Sequence, residues 1–66
     1  MRLDQYVGRT VEIIYEDKHG VITQRKIVVR RIRDGVLHAT CLTAGAWRPF
    51  RIESILSWQP VRGRTA

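Results

Sequence analysis

This chain of 66 residues has one cysteine, two prolines and only six acidic residues. A single cysteine excludes an internal disulfide, which suits a protein of a reducing compartment. The apolar runs stay well below the roughly 18 residues of a membrane-spanning helix, and no basic-then-apolar leader opens the sequence. These absences predict a cytoplasmic protein that does not enter a membrane.

The length sets a second limit, because a chain of this size buries only about 60% of the surface that its unfolded form exposes. We therefore predict one domain over residues 1–60, followed by a flexible basic tail over residues 61–66. A core this thin either suffices alone or is completed by another chain, so a homo-oligomer or a partner protein stays open.

Positive charge is the strongest compositional signal. Twelve Lys and Arg residues against six Asp and Glu residues give a net charge of +6 and a pI near 10.8. Ten of the twelve cations are arginines, whose planar guanidinium group grips phosphate or carboxylate at two points and stacks on rings. This bias favours a nucleic-acid or nucleotide partner, and the alternative is an ordinary solvated basic surface.

Alternation of apolar and polar residues predicts five strands separated by tight turns. The strands are predicted at residues 10–16, 21–32, 36–42, 47–52 and 55–59. The second strand is long enough to require a bend, which we place at its polar residues 23–26. Pro49 suits an edge strand or a bulge, and Asp34-Gly35 signals a tight turn.

The first residues add a helical element, because Leu3, Tyr6 and Val7 have the spacing of one helical turn. Together these elements predict an all-β fold. We expect a small five-stranded Sm/SH3-like barrel with a short N-terminal helical turn, since closing a sheet into a barrel removes its exposed edges.

Several short motifs follow one another along residues 11–57. They are Ile14-Tyr15, Gly20, Thr23-x-Arg25-x-Ile27, Leu37 with Ala39 and Cys41, Arg48-x-Phe50-Arg51-Ile52, and Ile55. In this order and spacing the chain resembles the WYL domain family, an Sm-like barrel found in bacterial transcription regulators and defence-linked proteins.

The chain also departs from the pattern of that family. The motif that names the family falls on Gly35-Val36-Leu37, where only the leucine is kept, and Val29 and Ser54 replace a usual proline and arginine. The resemblance therefore implies a divergent, free-standing module without the winged helix of the regulators. It also implies a regulatory role, in transcription or phage defence, in which a basic surface senses a nucleotide or nucleic-acid ligand.

Arg25 and Arg48 are the first candidates for an anion site. Alternation places each of them in line with an apolar row of its own strand, as at the rim of a barrel. Two guanidinium groups that converge there would bind an anion. The alternative is that their stems are buried and their charges are paired with Glu16, Asp17 or Glu53.

Trp47 and Arg51 share the other face of the fourth strand. An exposed tryptophan beside an arginine is a stacking platform for a nucleic-acid base, with an effect of about 1–3 kcal/mol per base. The alternative is that Trp47 packs under a loop or against another protein chain, because aromatic anchors serve protein interfaces equally well.

Arg30, Arg31 and Arg33 form a basic cluster. Alternation predicts that Arg30 and Arg31 point to opposite faces, so that the cluster cannot line one pocket. Such a cluster is usually a solvated sheet edge that discourages aggregation. The more specific interpretation is that the cluster contacts phosphate groups of a ligand. His38 points outward from the third strand and is either a ligand contact, a pH-sensitive group or an ordinary surface residue.

Signals for catalysis and for metal binding are weak. His19, His38 and Cys41 lack the spacing of a metal site, and Cys41 suits a core position. The sequence contains neither a phosphate-binding glycine loop nor a nucleophile with a readable base. We therefore predict no metal, no cofactor and no enzymatic activity.

The sequence as a whole favours a non-enzymatic module that binds nucleic acid or a nucleotide ligand. Guanidinium groups would hold phosphate and Trp47 would stack a base. The candidate contacts are Arg25, Arg30, Arg31, His38, Trp47, Arg48 and Arg51. The alternative function is a protein-interaction or self-assembly module that buries its sheet edges and its two tryptophans against another chain.

Overall fold

The computed structural model describes residues 3–61 of the chain. Its elements in order are a 3-10 turn at Leu3–Tyr6, the strands β1 (Thr10–Glu16), β2 (Ile22–Arg33), β3 (Val36–Cys41) and β4 (Ala46–Arg51), a 3-10 turn at Ile52–Ser54, and the strand β5 (Ile55–Pro60). Residues 62–66 of the predicted tail lie outside the described residues. Val61 still joins the sheet, because its N–H donates to the carbonyl of Thr10 at 3.0 Å.

All five strands belong to one antiparallel sheet with the order β4-β3-β2-β1-β5. In a flat sheet the three steps from β1 to β4 would span about 14 Å. Yet the rings of Tyr15 on β1 and Phe50 on β4 meet edge to face with their centroids 5.0 Å apart. The sheet therefore curls on itself into a small barrel-like fold, and the predicted all-β class is confirmed.

The inner side of the curled sheet forms the core. Its fully buried residues come from every strand and from the first 3-10 turn: Leu3, Val11, Ile13, Ile27, Val29, Leu37, Ala39, Cys41, Phe50 and Ile55. Tyr6 packs against Trp58 with ring centroids 5.0 Å apart. The N-terminal turn, predicted from the spacing of Leu3 and Tyr6, thus covers one end of the core.

Strand β2 departs from the predicted geometry. Its pairing with β1 is regular through residues 23–26, where we placed the bend. The irregularity instead lies between Val29 and Arg31, which are paired with Ala39 and His38 of β3. From Val29 to Arg31 the strand β2 advances two positions while β3 advances only one, from Ala39 to His38. This is a β-bulge with Arg30 as the extra residue.

The turn between β2 and β3 is the one that the Asp-Gly pair predicts. Asp34 and Gly35 have φ angles of +53° and +74°, and Arg33 is paired with Val36 on either side of them. A two-residue hairpin of this kind needs positive φ at both positions, which glycine adopts without cost and aspartate tolerates. The turn fixes the register between β2 and β3.

The loop between β1 and β2 is held by one side chain. The carboxylate of Asp17 accepts hydrogen bonds from the N–H of His19 at 2.8 Å and from that of Val21 at 2.9 Å. The Val21 N–H is the main cause that lowers the pKa of Asp17 below its ordinary value of 3.8. The ionised form of this carboxyl group is therefore the form that the fold prefers.

Replacing Asp17 with Asn tests this loop through pH. Because the pKa of Asp17 is lower in the folded chain, its charge stabilises the fold above the unfolded pKa, and that contribution disappears as pH falls through the folded pKa. We expect the wild type to melt above Asp17→Asn at pH 7, and we expect the gap to close at an acid pH well below the ordinary pKa of 3.8. Thermal melts followed by circular dichroism at both pH values measure the gap, and a pH-independent gap would contradict the assignment.

Candidate functional site

Strands β2, β3 and β4 place six basic or aromatic side chains on the outer side of the sheet. Directly paired residues of antiparallel strands point to the same side. The outward residues of β3 are Val36, His38 and Thr40, and their partners include Arg31 and Arg33 on β2 and Trp47 and Arg51 on β4. We call the surface formed by this group the arginine face: Arg30, Arg31, Arg33, His38, Trp47 and Arg51.

The β-bulge brings Arg30 and Arg31 to the same side, so the prediction that they point to opposite faces is wrong. Arg31 is paired with the outward residue His38. The Nε of Arg30 donates to the hydroxyl of Thr40 at 3.2 Å, which is also an outward residue of β3. The extra residue of a bulge interrupts the alternation on which the prediction depended.

The spacing of the apolar residues along β2 carried a signal for this bulge. The inward positions are Ile27, Val29 and Ile32, so the interval changes from two residues to three. A regular strand keeps an interval of two throughout. Thr40 accepts the hydrogen bond that positions Arg30, but it was absent from the predicted site. Its contact with Arg30 can be recognised only once the register of β2 and β3 is known.

Trp47 and His38 form a stacked pair at the centre of β3 and β4. Their ring centroids are 5.5 Å apart and their planes differ by 22°. His38 is half-buried, whereas Trp47 is 57% exposed. One side of the indole ring is therefore covered by the imidazole, and much of the remaining ring is open to a ligand.

The middle of the arginine face carries positive charge without a local counter-charge. Among residues 3–61, neither Arg30 nor Arg31 has a carboxylate oxygen within 4.0 Å of its side-chain nitrogens. On the outer side of β1, Glu12 is paired with Lys26, which lies four residues before Arg30 on β2. These two guanidinium groups are thus available to an anion.

Two carboxylates partly neutralise the far end of the arginine face, which contains Arg33 and Arg51. Arg33 lies 3.8 Å from Asp34, and Arg51 lies 3.3 Å from Glu53. All four side chains are well exposed, so each pair is weak and competes with solvent ions. A cleft of about 510 Å³ opens beside Arg51 and includes both carboxylates in its lining. These charges make the cleft itself a poor site for an anion.

Arg25 and Arg48 lie on the other side of the sheet from the arginine face. Their register partners are the buried residues Ile13 and Ala39, as the predicted alternation requires. Arg25 is half-buried and donates from Nε to Thr23 at 3.2 Å, whereas Arg48 is exposed. Neither belongs to an ion pair in the described part of the chain, so their role as anion contacts stays a prediction.

Arg25 also contacts Cys41 on the neighbouring strand β3. The Nη1 of Arg25 lies 3.7 Å from the sulfur, and the thiol is fully buried. Burial raises the pKa of Cys41, but hydrogen bonds from the N–H of Ala44 and from Arg25 lower it by more. The buried thiol therefore packs within the core of the barrel, as expected for a core cysteine.

The outer side of β1 and β5 differs in character from the arginine face. The register partners of Ile14 on β1 are the polar residues Gln24 and Ser57. Ile22 on β2 and Leu56 on β5, both more than half exposed, lie two residues and one residue before these partners on their strands. On the same side, Glu12 accepts a hydrogen bond from Gln59 at 3.2 Å. The barrel therefore has a basic, aromatic side and a mixed, apolar side.

Comparison of the chain with protein-family models, with curated proteins and with solved structures found no match. The resemblance to the WYL domain family therefore stays a prediction. Within residues 3–61, no group of three or more His, Cys, Asp or Glu side chains is placed to hold a metal ion. The same part of the chain has no helix whose length and apolar character would let it cross a membrane.

Proposed function

We propose that the arginine face binds nucleic acid or a nucleotide ligand through phosphate contacts and base stacking. The observation that carries the proposal is the combination of an open indole ring at Trp47 with the guanidinium groups of Arg30 and Arg31, which have no carboxylate partner among residues 3–61, on one side of the sheet. Arginines hold the phosphates of such ligands, and aromatic rings accept their bases. The resemblance to a ligand-sensing family points to the same class of ligand.

This proposal moves the centre of the predicted site. Arg25 and Arg48 were the first candidates, but they point to the inner side of the sheet. Arg30 and Arg31 replace them, since the bulge places both beside Trp47 and His38. The binding mode is otherwise the predicted one, with guanidinium groups on phosphate and Trp47 on a base.

Replacing Trp47 with Ala tests the stacking part of the proposal. We expect binding of a fluorescein-labelled eight-nucleotide dT strand to weaken about tenfold, because stacking of one base contributes about 1–3 kcal/mol. Fluorescence anisotropy measures the affinity. Leu56→Ala is the matched control, since it removes an apolar side chain of similar exposure from the opposite side of the barrel. Equal affinities for wild type and Trp47→Ala would show that Trp47 does not stack on a base of the bound strand.

Replacing Glu53 with Gln tests whether the far end of the arginine face takes part. The Glu53 carboxylate lies 3.3 Å from the guanidinium group of Arg51. A phosphate that binds Arg51 has to displace this carboxylate. We expect Glu53→Gln to bind the same dT strand about two- to fivefold more tightly, because an exposed ion pair contributes only about 0.2–1 kcal/mol. Glu12→Gln is the control for the change of net charge. A gain of the same size in both variants would show a general charge effect.

A protein-interaction or self-assembly module is the second candidate function, and it has its own observation. Ile22 and Leu56, both more than half exposed, lie on the two strands that neighbour β1, which contributes Ile14. Exposed apolar patches mark interaction sites. Size-exclusion chromatography with light scattering, with and without the dT strand, separates the two functions. A stable oligomer that ignores the strand and dissociates in Leu56→Glu favours this second function.

A further inference from the structure

The arginine face is longer than one phosphate group requires. Trp47 is paired with Thr40 and Arg51 with Val36, and these two β3 residues are four positions apart. At about 3.3 Å per residue, the stacking ring and the last arginine are separated by about 13 Å. On β2, Arg31 lies between these limits, and Arg33 is paired with Val36 at the same level as Arg51. A row of cations of this length matches a ligand with several phosphates in line.

The stacking platform accepts one base and no more. His38 covers one side of the Trp47 ring at a centroid distance of 5.5 Å, which leaves a single open side. A base inside a duplex is stacked on both of its own faces, and it reaches such a ring only after unpairing, which costs a few kcal/mol. A base of a single strand presents its face freely.

The elements that read a duplex are missing from the described residues. Proteins usually enter the major groove with an α-helix or a two-stranded ribbon. Between residues 3 and 61 the only helical segments are 3-10 turns of four and three residues, and the arginine face is the surface of a three-stranded sheet. Such a surface suits a flexible strand laid across it.

We infer that the ligand of the arginine face is a short run of single-stranded nucleic acid with one base stacked on Trp47. Its phosphates follow Arg30, Arg31 and Arg33 along β2. The distance of about 13 Å corresponds to about three to five nucleotides, since a stacked strand advances about 3.4 Å per nucleotide along its axis and an extended strand advances further. This inference rests on the proposed function and narrows it from nucleotide ligands in general to a strand.

Competition against a labelled eight-nucleotide dT strand tests the inference on the wild-type chain. The competitors are dT strands of two to twelve nucleotides, the matching rU strands, a hairpin duplex, an eight-nucleotide strand of abasic sites, and ATP. We expect affinity to rise up to about five nucleotides and then to change little. We also expect the duplex, the abasic strand and ATP each to bind at least about tenfold more weakly than the eight-nucleotide strand, in line with loss of the stacked base or of the phosphate row.

The outcomes separate the inference from the proposed function. A duplex and an abasic strand that compete as well as dT would overturn the single-strand inference and leave phosphate binding in place. ATP competing as well as the eight-nucleotide strand would overturn it in favour of a small nucleotide ligand. If neither any strand nor ATP binds, the proposed function itself is wrong. Trp47→Ala gives a second check, because in this variant the abasic strand should bind as well as dT.

Discussion

The double replacement of Arg30 and Arg31 by Ala is expected to weaken binding of a single-stranded oligonucleotide about tenfold to a hundredfold near 0.1 M salt. Each guanidinium group removed is a phosphate contact, and each contact to a single strand contributes about 0.7 to the slope of log affinity against log salt. The slope should therefore become less steep by about 1.4. Fluorescence anisotropy at several salt concentrations yields both quantities, and the loss should be similar for every base sequence.

A control variant with the same loss of charge shows whether position matters. Arg9→Ala combined with Lys18→Ala also removes two exposed cations, but the guanidinium group of Arg9 lies over the Tyr6 ring at one end of the barrel and Lys18 lies in the loop between β1 and β2. We expect the control to lose no more than about threefold in affinity through net charge alone. Equal losses in the two double variants would mean that binding follows net charge and that the arginine face is not a site.

Replacing Leu37 with Ala is expected to cost about 2–5 kcal/mol of unfolding free energy. Leu37 is a fully buried core residue near the start of β3, and removing such a side chain takes away its burial and leaves a cavity. A domain of 66 residues has a total stability of only about 3–10 kcal/mol. The variant should therefore unfold at a much lower urea concentration, with a measurable unfolded fraction in water.

Urea titration followed by circular dichroism measures this loss. Leu56→Ala is the control, because Leu56 is 52% exposed and changes at such positions usually stay within about 0.5 kcal/mol. If Leu37→Ala kept the wild-type midpoint, the barrel core would not be the source of stability. If both variants lost stability equally, the surface around Leu56 would be buried against a second chain in solution.

The fold was predictable because each local signal agreed with the others. Residues 10–16 alternate cleanly, and β1 forms at Thr10–Glu16. The Asp34-Gly35 pair allows few other conformations than a tight turn, and Pro49 lies on β4, an edge strand of the sheet. These strand and turn preferences depend on residues that are close together in the chain, so they can be identified from the sequence alone.

The site was less predictable because it depends on register. One extra residue at Arg30 reverses the side to which the following residues point, and alternation from the start of β2 cannot show where that residue is inserted. The contact between His38 and Trp47 depends on how many residues the turn between β3 and β4 contains. Arg25 and Arg48, by contrast, lie in line with the inward apolar rows of their strands, as alternation predicts.

The most direct test is the salt dependence of oligonucleotide binding by the wild-type chain. Three to four phosphate contacts across the arginine face predict a slope of about −2 to −3 in log affinity against log salt, and tight binding only at low salt. The slope should fall by about half in Arg30→Ala/Arg31→Ala. An affinity that does not change with salt, or a slope that is the same in both proteins, would contradict the assignment of this surface.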